Sequence, residues 1–192
     1  MADSKLEKQR QVMRHIDEDK VVNILQGLVR VPSVNPPGDE GRVASEMAKM
    51  MEKAGLETSV EEFLPNRSNA YDTVQGREKN GRILLLNGHL DVVPPGDGWS
   101  KEPFGGEIKD GRLYGRGSCD MKGGLAETIV AANALVDAGV ELRHSSCREN
   151  HLWNGWRNSR FLSSERRIKP RERGNPDGHH WSRQPEYGAQ AR

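Results

Sequence analysis

Asn87-Gly88-His89-Leu90-Asp91 sets an imidazole and a carboxylate two positions apart, directly behind the apolar run Ile83-Leu84-Leu85-Leu86. Side chains alternate along an extended backbone, so His89 and Asp91 share a side of it. A neutral imidazole suits zinc, and a nearby carboxylate can accept a hydrogen bond from the other ring nitrogen and fix the ring's orientation. By itself the pair also fits a plain polar strand end. A second run, Gly115-Arg116-Gly117-Ser118-Cys119-Asp120-Met121-Lys122-Gly123-Gly124, precedes an alanine-rich stretch. Its glycines let the backbone turn sharply and approach a ligand closely. Asp120 stands where a helix begins, so it can be an N-cap or can present both oxygens to two cations as a bridging ligand. Lys122 lacks the preceding Gly and the following Ser or Thr of a phosphate-binding loop. Cys119 reads as structural filler, and Trp99, Lys101 and Arg116 read as packing or loop residues.

The elements that must hold these runs follow from periodicity. Residues 17–30 predict a helix with an acidic first turn and an apolar face of Val21, Val22, Ile24, Leu25, Leu28 and Val29. Pro32 stops it, and Ser-Val-Asn-Pro-Pro-Gly at 33–38 is a stiff loop. A second helix is expected over 39–54, with Val43, Met47, Met50 and Met51 as its buried stripe and Gly55 as its stop. Residues 56–64 and 70–75 look extended. Residues 83–86 predict a central strand buried on both faces. A long loop at 92–103 leads to a hairpin at 107–114 that turns at Asp110-Gly111, and a helix follows over 121–138. Helices alternating with strands point to an α/β domain.

The 192 residues suit one domain or slightly more, and 30% charged residues with a mean hydropathy of -0.81 make the whole polar. No apolar run of about 18 residues occurs, which excludes a membrane span. The charged first twenty residues lack the apolar core of a signal peptide. Two cysteines, Cys119 and Cys147, cannot build a disulfide framework and favour a reducing, cytoplasmic setting. The net charge of +1 argues against a general polyanion binder, but it conceals two compositions. Residues 1–143 carry 19 Lys and Arg against 23 Asp and Glu, and all 14 valines; residues 144–192 carry 10 against 5, and three of the four tryptophans.

The two chemical runs taken together resemble the zinc-dependent amidohydrolases and peptidases of the acetylornithine deacetylase, succinyl-diaminopimelate desuccinylase, aminoacylase and carboxypeptidase group. Asp91-Val92-Val93-Pro94, Trp99, Pro103-Phe104 and Asp110-Gly111-Arg112-Leu113-Tyr114-Gly115-Arg116-Gly117 look like that family. So do Leu28-Val29-Arg30-Val31-Pro32-Ser33 and Asn35-Pro36-Pro37-Gly38, and the likeness covers roughly residues 17–143. The resemblance implies a mixed-sheet α/β sandwich, of which residues 1–143 are the N-terminal part of the catalytic domain. It implies His89 as a terminal ligand of one zinc, Asp91 as the catalytic residue that holds the imidazole, and Asp120 as a bridge between two zincs, with cobalt as a substitute. The implied substrate is an N-acyl amino acid or small peptide, and the implied assembly is a homodimer.

Beyond Arg143 the family continues with a strand, a Glu-Glu pair supplying the general base and a ligand, further ligands and a dimerisation domain. The sequence places none of these: its one Glu-Glu is Glu61-Glu62, upstream of both runs, and Glu149 and Glu165 are solitary. His144, Cys147, His151, His179 and His180 match no zinc module, and no nucleic-acid-binding module accompanies the tail's arginines. Residues 144–192 are expected to be an aberrant or disordered basic tail, and an out-of-frame translation of the family's continuation fits the abrupt change. The sequence therefore points to a metal-dependent amide hydrolase. The alternative is a truncated or frame-shifted, non-catalytic fragment with weak metal binding.

Overall fold

A computed structural model describes residues 2–78, 83–142 and 145–151, the last of these by backbone alone. All lie in the first of two compact units, Met1–Gly155; the second, Trp156–Arg192, falls outside the described residues, as do most of the expected tail and its His144, Glu165, His179 and His180.

Helix α1 (Ala2–Met13) was not anticipated, because its residues carry no apolar stripe; among its contacts, Gln11 donates to the Ala138 carbonyl at 2.6 Å. Helix α2 (Glu18–Val29) is capped by Asp17, whose side chain accepts from the Lys20 amide at 3.2 Å, and Glu18 and Asp19 complement the positive end of its dipole. Helix α3 (Gly41–Lys53) buries Val43, Ala44, Met47, Ala48 and Met51, at the helical spacing read from the sequence, and the chain leaves it at Gly55 with φ 76°. Strands β1 (Glu57–Leu64) and β2 (Arg67–Val74) form an antiparallel hairpin, closed by Pro65 and Asn66. Strands β4 (Glu107–Lys109) and β5 (Arg112–Tyr114) form a second hairpin, with Asp110 and Gly111 both at positive φ, as a two-residue turn of this twist requires. Helix α4 (Gly123–Asp137) starts two residues later than the alanine pattern suggests, after a wide π-type turn at Ser118–Lys122.

The sheet has the order β1-β2-β6-β3, where β3 is Ile83–His89 and β6 is Ser145–His151. β6 pairs antiparallel with β2 and parallel with β3, so the sheet is mixed; this corrects the expectation of a disordered tail from residue 144 for Ser145–His151, whose backbone is held by hydrogen bonds to a strand on each side. Leu28, Val43, Met47, Met51, Leu90, Leu125 and Ile129 form one core between the helices and the sheet. Their burial supplies the main driving force, at about 1.5–3 kcal/mol for a large aliphatic side chain.

The expected burial of β3 is also corrected. The apolar run of β3 is not buried on both faces: Ile83, Leu84 and Leu85 are 48%, 62% and 47% exposed. A strand is sealed when it has neighbours on both edges and layers on both faces. β3 instead ends the order of described strands, and at Gly88 it packs closely enough on Leu125 of α4 and on Met121 that a side chain there would collide with both.

Candidate functional site

His89 is the last residue of β3, and the chain is pinned immediately after it. Leu90 is fully buried, and its carbonyl accepts from the Ser33 hydroxyl at 2.7 Å. The Val92 amide donates to the Ser33 carbonyl and the Asn35 amide to the Val92 carbonyl, both at 2.9 Å. The stiff 33–38 loop thus runs alongside residues 90–92 as a short parallel bridge, Val34 facing Val92. Asp91, between two pinned residues, has its backbone position set from both sides.

Asp120 arrives from the π-type turn. Gly117 enters that turn at φ 84°, and a side chain there would collide with Val92. Both facts require glycine. The Lys122 amide closes onto the Gly117 carbonyl at 2.9 Å. The Lys122 side chain is fully buried, and its ammonium donates to the Leu28 and Val31 carbonyls, each at 2.9 Å. Those carbonyls lie at and just past the end of α2, the negative end of its dipole. Burial pushes the Lys122 pKa down to about 8. Between Asp120 and Lys122, the Met121 sulfur accepts from the His89 amide at 3.3 Å, tying the turn to the end of β3.

These constraints bring the three predicted residues together. His89 Nε2 lies 3.0 Å from Asp120 Oδ1. On the other side of the ring, Nδ1 lies 3.0 Å from the Asp91 main-chain oxygen and 3.2 Å from its Oδ1. Asp91 Oδ2 accepts from the Asn35 side-chain amide at 2.8 Å. Asp91 is the most enclosed of the three at 13% side-chain exposure, His89 is 25% exposed, and Asp120 is open to solvent at 88%. The hydrogen bond to Asp91 outweighs burial and, with that to Asp120, raises the His89 pKa to about 9 in the metal-free chain. For Asp91, burial acts to raise the pKa, but the hydrogen bonds from His89 and Asn35 prevail and hold the carboxyl below its ordinary value.

An acceptor behind Nδ1 leaves Nε2 as the nitrogen able to coordinate, and Asp120 presents an oxygen to the same point. Nitrogen and oxygen ligands at about 2.0–2.2 Å from one ion sit roughly 3–3.5 Å apart, so the 3.0 Å spacing fits a shared cation. Among the described residues no group of three or more His, Cys, Asp or Glu converges to complete such a site. Glu61 and Glu62 lie on β1, at the opposite end of the sheet order from β3, and are engaged by the Tyr71 hydroxyl and the Asn66 amide.

The secondary readings divide. Arg116 stacks 5.1 Å from the Trp99 ring centroid, both donate to the Pro95 carbonyl, and Lys101 pairs with Glu107. These three are loop-packing residues, as read. Cys119 is exposed rather than packed as filler. Asn35, Met121 and Lys122 were not read as parts of the site; their only sequence signal was adjacency to Pro-Pro-Gly or to Asp120.

The sequence model of peptidase family M20/M25/M40 matches residues 85–147, from within β3 to the first residues of β6. A succinyl-diaminopimelate desuccinylase of Methylorubrum extorquens is 40% identical over 120 residues, covering 59% of this chain and 30% of that protein. The enzyme of the same name from Methylobacterium nodulans is 42% identical over 119 residues, covering 59% and 29%. The chain therefore spans about 30% of the length of these curated relatives. Among solved structures, an M20 family metallo-carboxypeptidase from Sulfolobus solfataricus superposes with a TM-score of 0.61 at 27% identity, over 70% of this chain and 30% of that one. Human carnosine dipeptidase 1 shares the fold, with a TM-score of 0.62 at 24% identity over 74% and 34% of the two chains. With this backbone in a solved member and this identity across the strand, turn and helix that carry His89, Asp91 and Asp120, this part of the chain is similar to peptidase family M20/M25/M40.

Proposed function

We propose that this chain carries part of the active site of a metal-dependent hydrolase that cleaves the amide bond of an N-acyl amino acid or small peptide. One observation carries the reading: His89 Nε2 and Asp120 Oδ1 converge at 3.0 Å while Asp91 backs the imidazole. His89 would be a terminal zinc ligand and Asp120 a ligand able to bridge two ions. Bound there, zinc or cobalt would polarise the scissile carbonyl and activate water near neutral pH. Asp91 fixes the ring through Nδ1, and its enclosure shields that contact from solvent. Asp120, open to solvent, stands where a substrate can approach. Relatives named succinyl-diaminopimelate desuccinylase favour an N-succinylated amino acid over a longer peptide.

A second reading rests on the two-ligand count among the described residues. With no third ligand or general base placed, the chain by itself would be a weak metal binder without turnover. A base typically contributes 10²–10⁴-fold to such a reaction. Assaying the purified chain with zinc or cobalt on N-succinyl- and N-acetyl-amino acids separates the two. Metal-dependent turnover abolished by Asp91→Ala supports the hydrolase reading for this chain. Metal binding lost in His89→Ala without any turnover supports the second, and no metal binding at all overturns both.

A further inference from the structure

We propose that Asn35 is a positioning residue for the site, holding the Asp91 carboxylate in the one orientation that presents Oδ1 to His89 Nδ1. The inference rests on the site reading above, but it concerns an interaction present in the metal-free chain. A carboxylate has a broad, roughly two-fold torsion about its last bond, so nothing intrinsic to Asp91 selects which way its oxygens face. Its surroundings make the choice. The Asn35 side-chain nitrogen donates to Oδ2 at 2.8 Å, and this end of the amide must face Asp91, because the amide oxygen would meet the carboxylate acceptor to acceptor. Oδ1 is left buried 3.2 Å from His89 Nδ1, paired with the ring by charge while the nearer Asp91 main-chain oxygen, at 3.0 Å, shares the same nitrogen. With Oδ2 occupied by Asn35, the imidazole is the donor within reach of Oδ1.

Asn35 can do this because its own place is fixed. Its amide donates to the Val92 carbonyl, the Val92 amide donates to the Ser33 carbonyl, and the Ser33 hydroxyl anchors the Leu90 carbonyl. The bridge clamps the chain on both sides of Asp91 and delivers the Asn35 side chain to it. The Asn-Pro-Pro-Gly loop, 54 residues before His89, thereby joins the site through one side-chain contact.

The test separates positioning from mere stability. The full chain, labelled with ¹⁵N-histidine, is compared with Asn35→Ala, Asn35→Asp and Asn133→Ala. The last removes a buried hydrogen bond to the Ala54 carbonyl, away from the clamp and from the carboxylate's partners. The six histidines are resolved by a His89→Gln variant. In the wild type and in Asn133→Ala, the His89 Nδ1–H is expected as a downfield, exchange-protected proton, even though Asn133→Ala lowers stability. In Asn35→Ala its exchange should be at least about tenfold faster, and Asn35→Asp should be no better than Asn35→Ala because a second carboxylate repels the first. A parallel zinc titration should show affinity falling by about tenfold in Asn35→Ala, the lower end of the range for outer partners of a metal ligand. An unchanged Nδ1–H signal in Asn35→Ala, its equal loss in Asn133→Ala, or its absence from the wild type would each overturn the proposal. Failure of the wild type to bind zinc would sink the metal reading instead, and the proton signature would still decide the role of Asn35.

Discussion

His89 and Asp120 come from different elements, a strand end and a π-type turn, yet His89 Nε2 stands 3.0 Å from Asp120 Oδ1. Two anionic or lone-pair groups this close need a proton or a cation between them. Here the proton is supplied by an imidazole whose pKa is raised to about 9, first by Asp91 and then by Asp120.

A cation offered to the pair should therefore bind, but weakly, because two ligands are fewer than the three or four of a typical zinc site. After dialysis, metal analysis should find substoichiometric zinc, reduced further in His89→Ala and Asp120→Ala. Two tightly held zincs per chain would mean that ligands outside the described residues complete the centre.

Self-association should follow from the exposed run on β3. Ile83, Leu84 and Leu85 are about half exposed or more, on the last strand of the described sheet order. Long apolar edge strands template pairing with another chain, and a lysine on the edge is the usual protection. Light scattering at rising concentration should show oligomers for the wild type and fewer for Leu84→Lys. Equal association of the two would show that this strand is not the contact.

Much of this frame was legible in the sequence, and the reasons are local. Asp17, Gly55 and the Asp110-Gly111 turn bound their elements by chemistry that acts over a few residues, and they stand where they were read. The buried stripe of α3 follows from helical spacing alone. His89, Asp91 and Asp120 could be singled out because their runs are compact. Asn35, Lys122 and Met121 could not, since each acts through a contact many residues away that no short window contains. The burial of β3 was misread for the same reason: apolar composition cannot tell whether the partners that would cover a strand are in place.

Lys122 should be a large contributor to the stability of the turn that carries Asp120. Replacing it by methionine removes a buried charge, which favours the variant, but leaves the Leu28 and Val31 carbonyls without their donor. Hydrogen bonds to charged groups contribute about 1.5–3 kcal/mol each, and an unpaired buried acceptor costs roughly 1–3 kcal/mol. The loss of two should win, so Lys122→Met is expected to lower unfolding stability by about 2–4 kcal/mol in urea at pH 7. A variant as stable as the wild type would show that desolvation of the ammonium offsets both bonds.

The Glu40–Arg67 pair gives the last prediction, and its sign depends on pH. Glu40 is fully buried at the start of α3, and Arg67, at the start of β2, reaches its two oxygens at 3.0 and 3.2 Å. Burial raises the Glu40 pKa, and the guanidinium lowers it only in part, so the folded value lies above the ordinary one. A raised folded pKa means the folded state holds its proton more tightly than the unfolded chain. The contribution of Glu40 is then fully present below the ordinary carboxylate range and is lost as pH rises through the folded value. Relative to Glu40→Gln, the wild type should lose urea stability between pH 4 and pH 7. Removing the cation instead leaves a buried carboxylate unpaired, which typically costs about 3–5 kcal/mol. Arg67→Met should show most of that loss at pH 7 and less near pH 4, where protonation of Glu40 relieves it. If the wild type gained stability over Glu40→Gln as pH rose, the guanidinium rather than burial would govern Glu40; an Arg67→Met deficit that grew towards acid pH would show that the lost charge pairing is not what destabilises that variant.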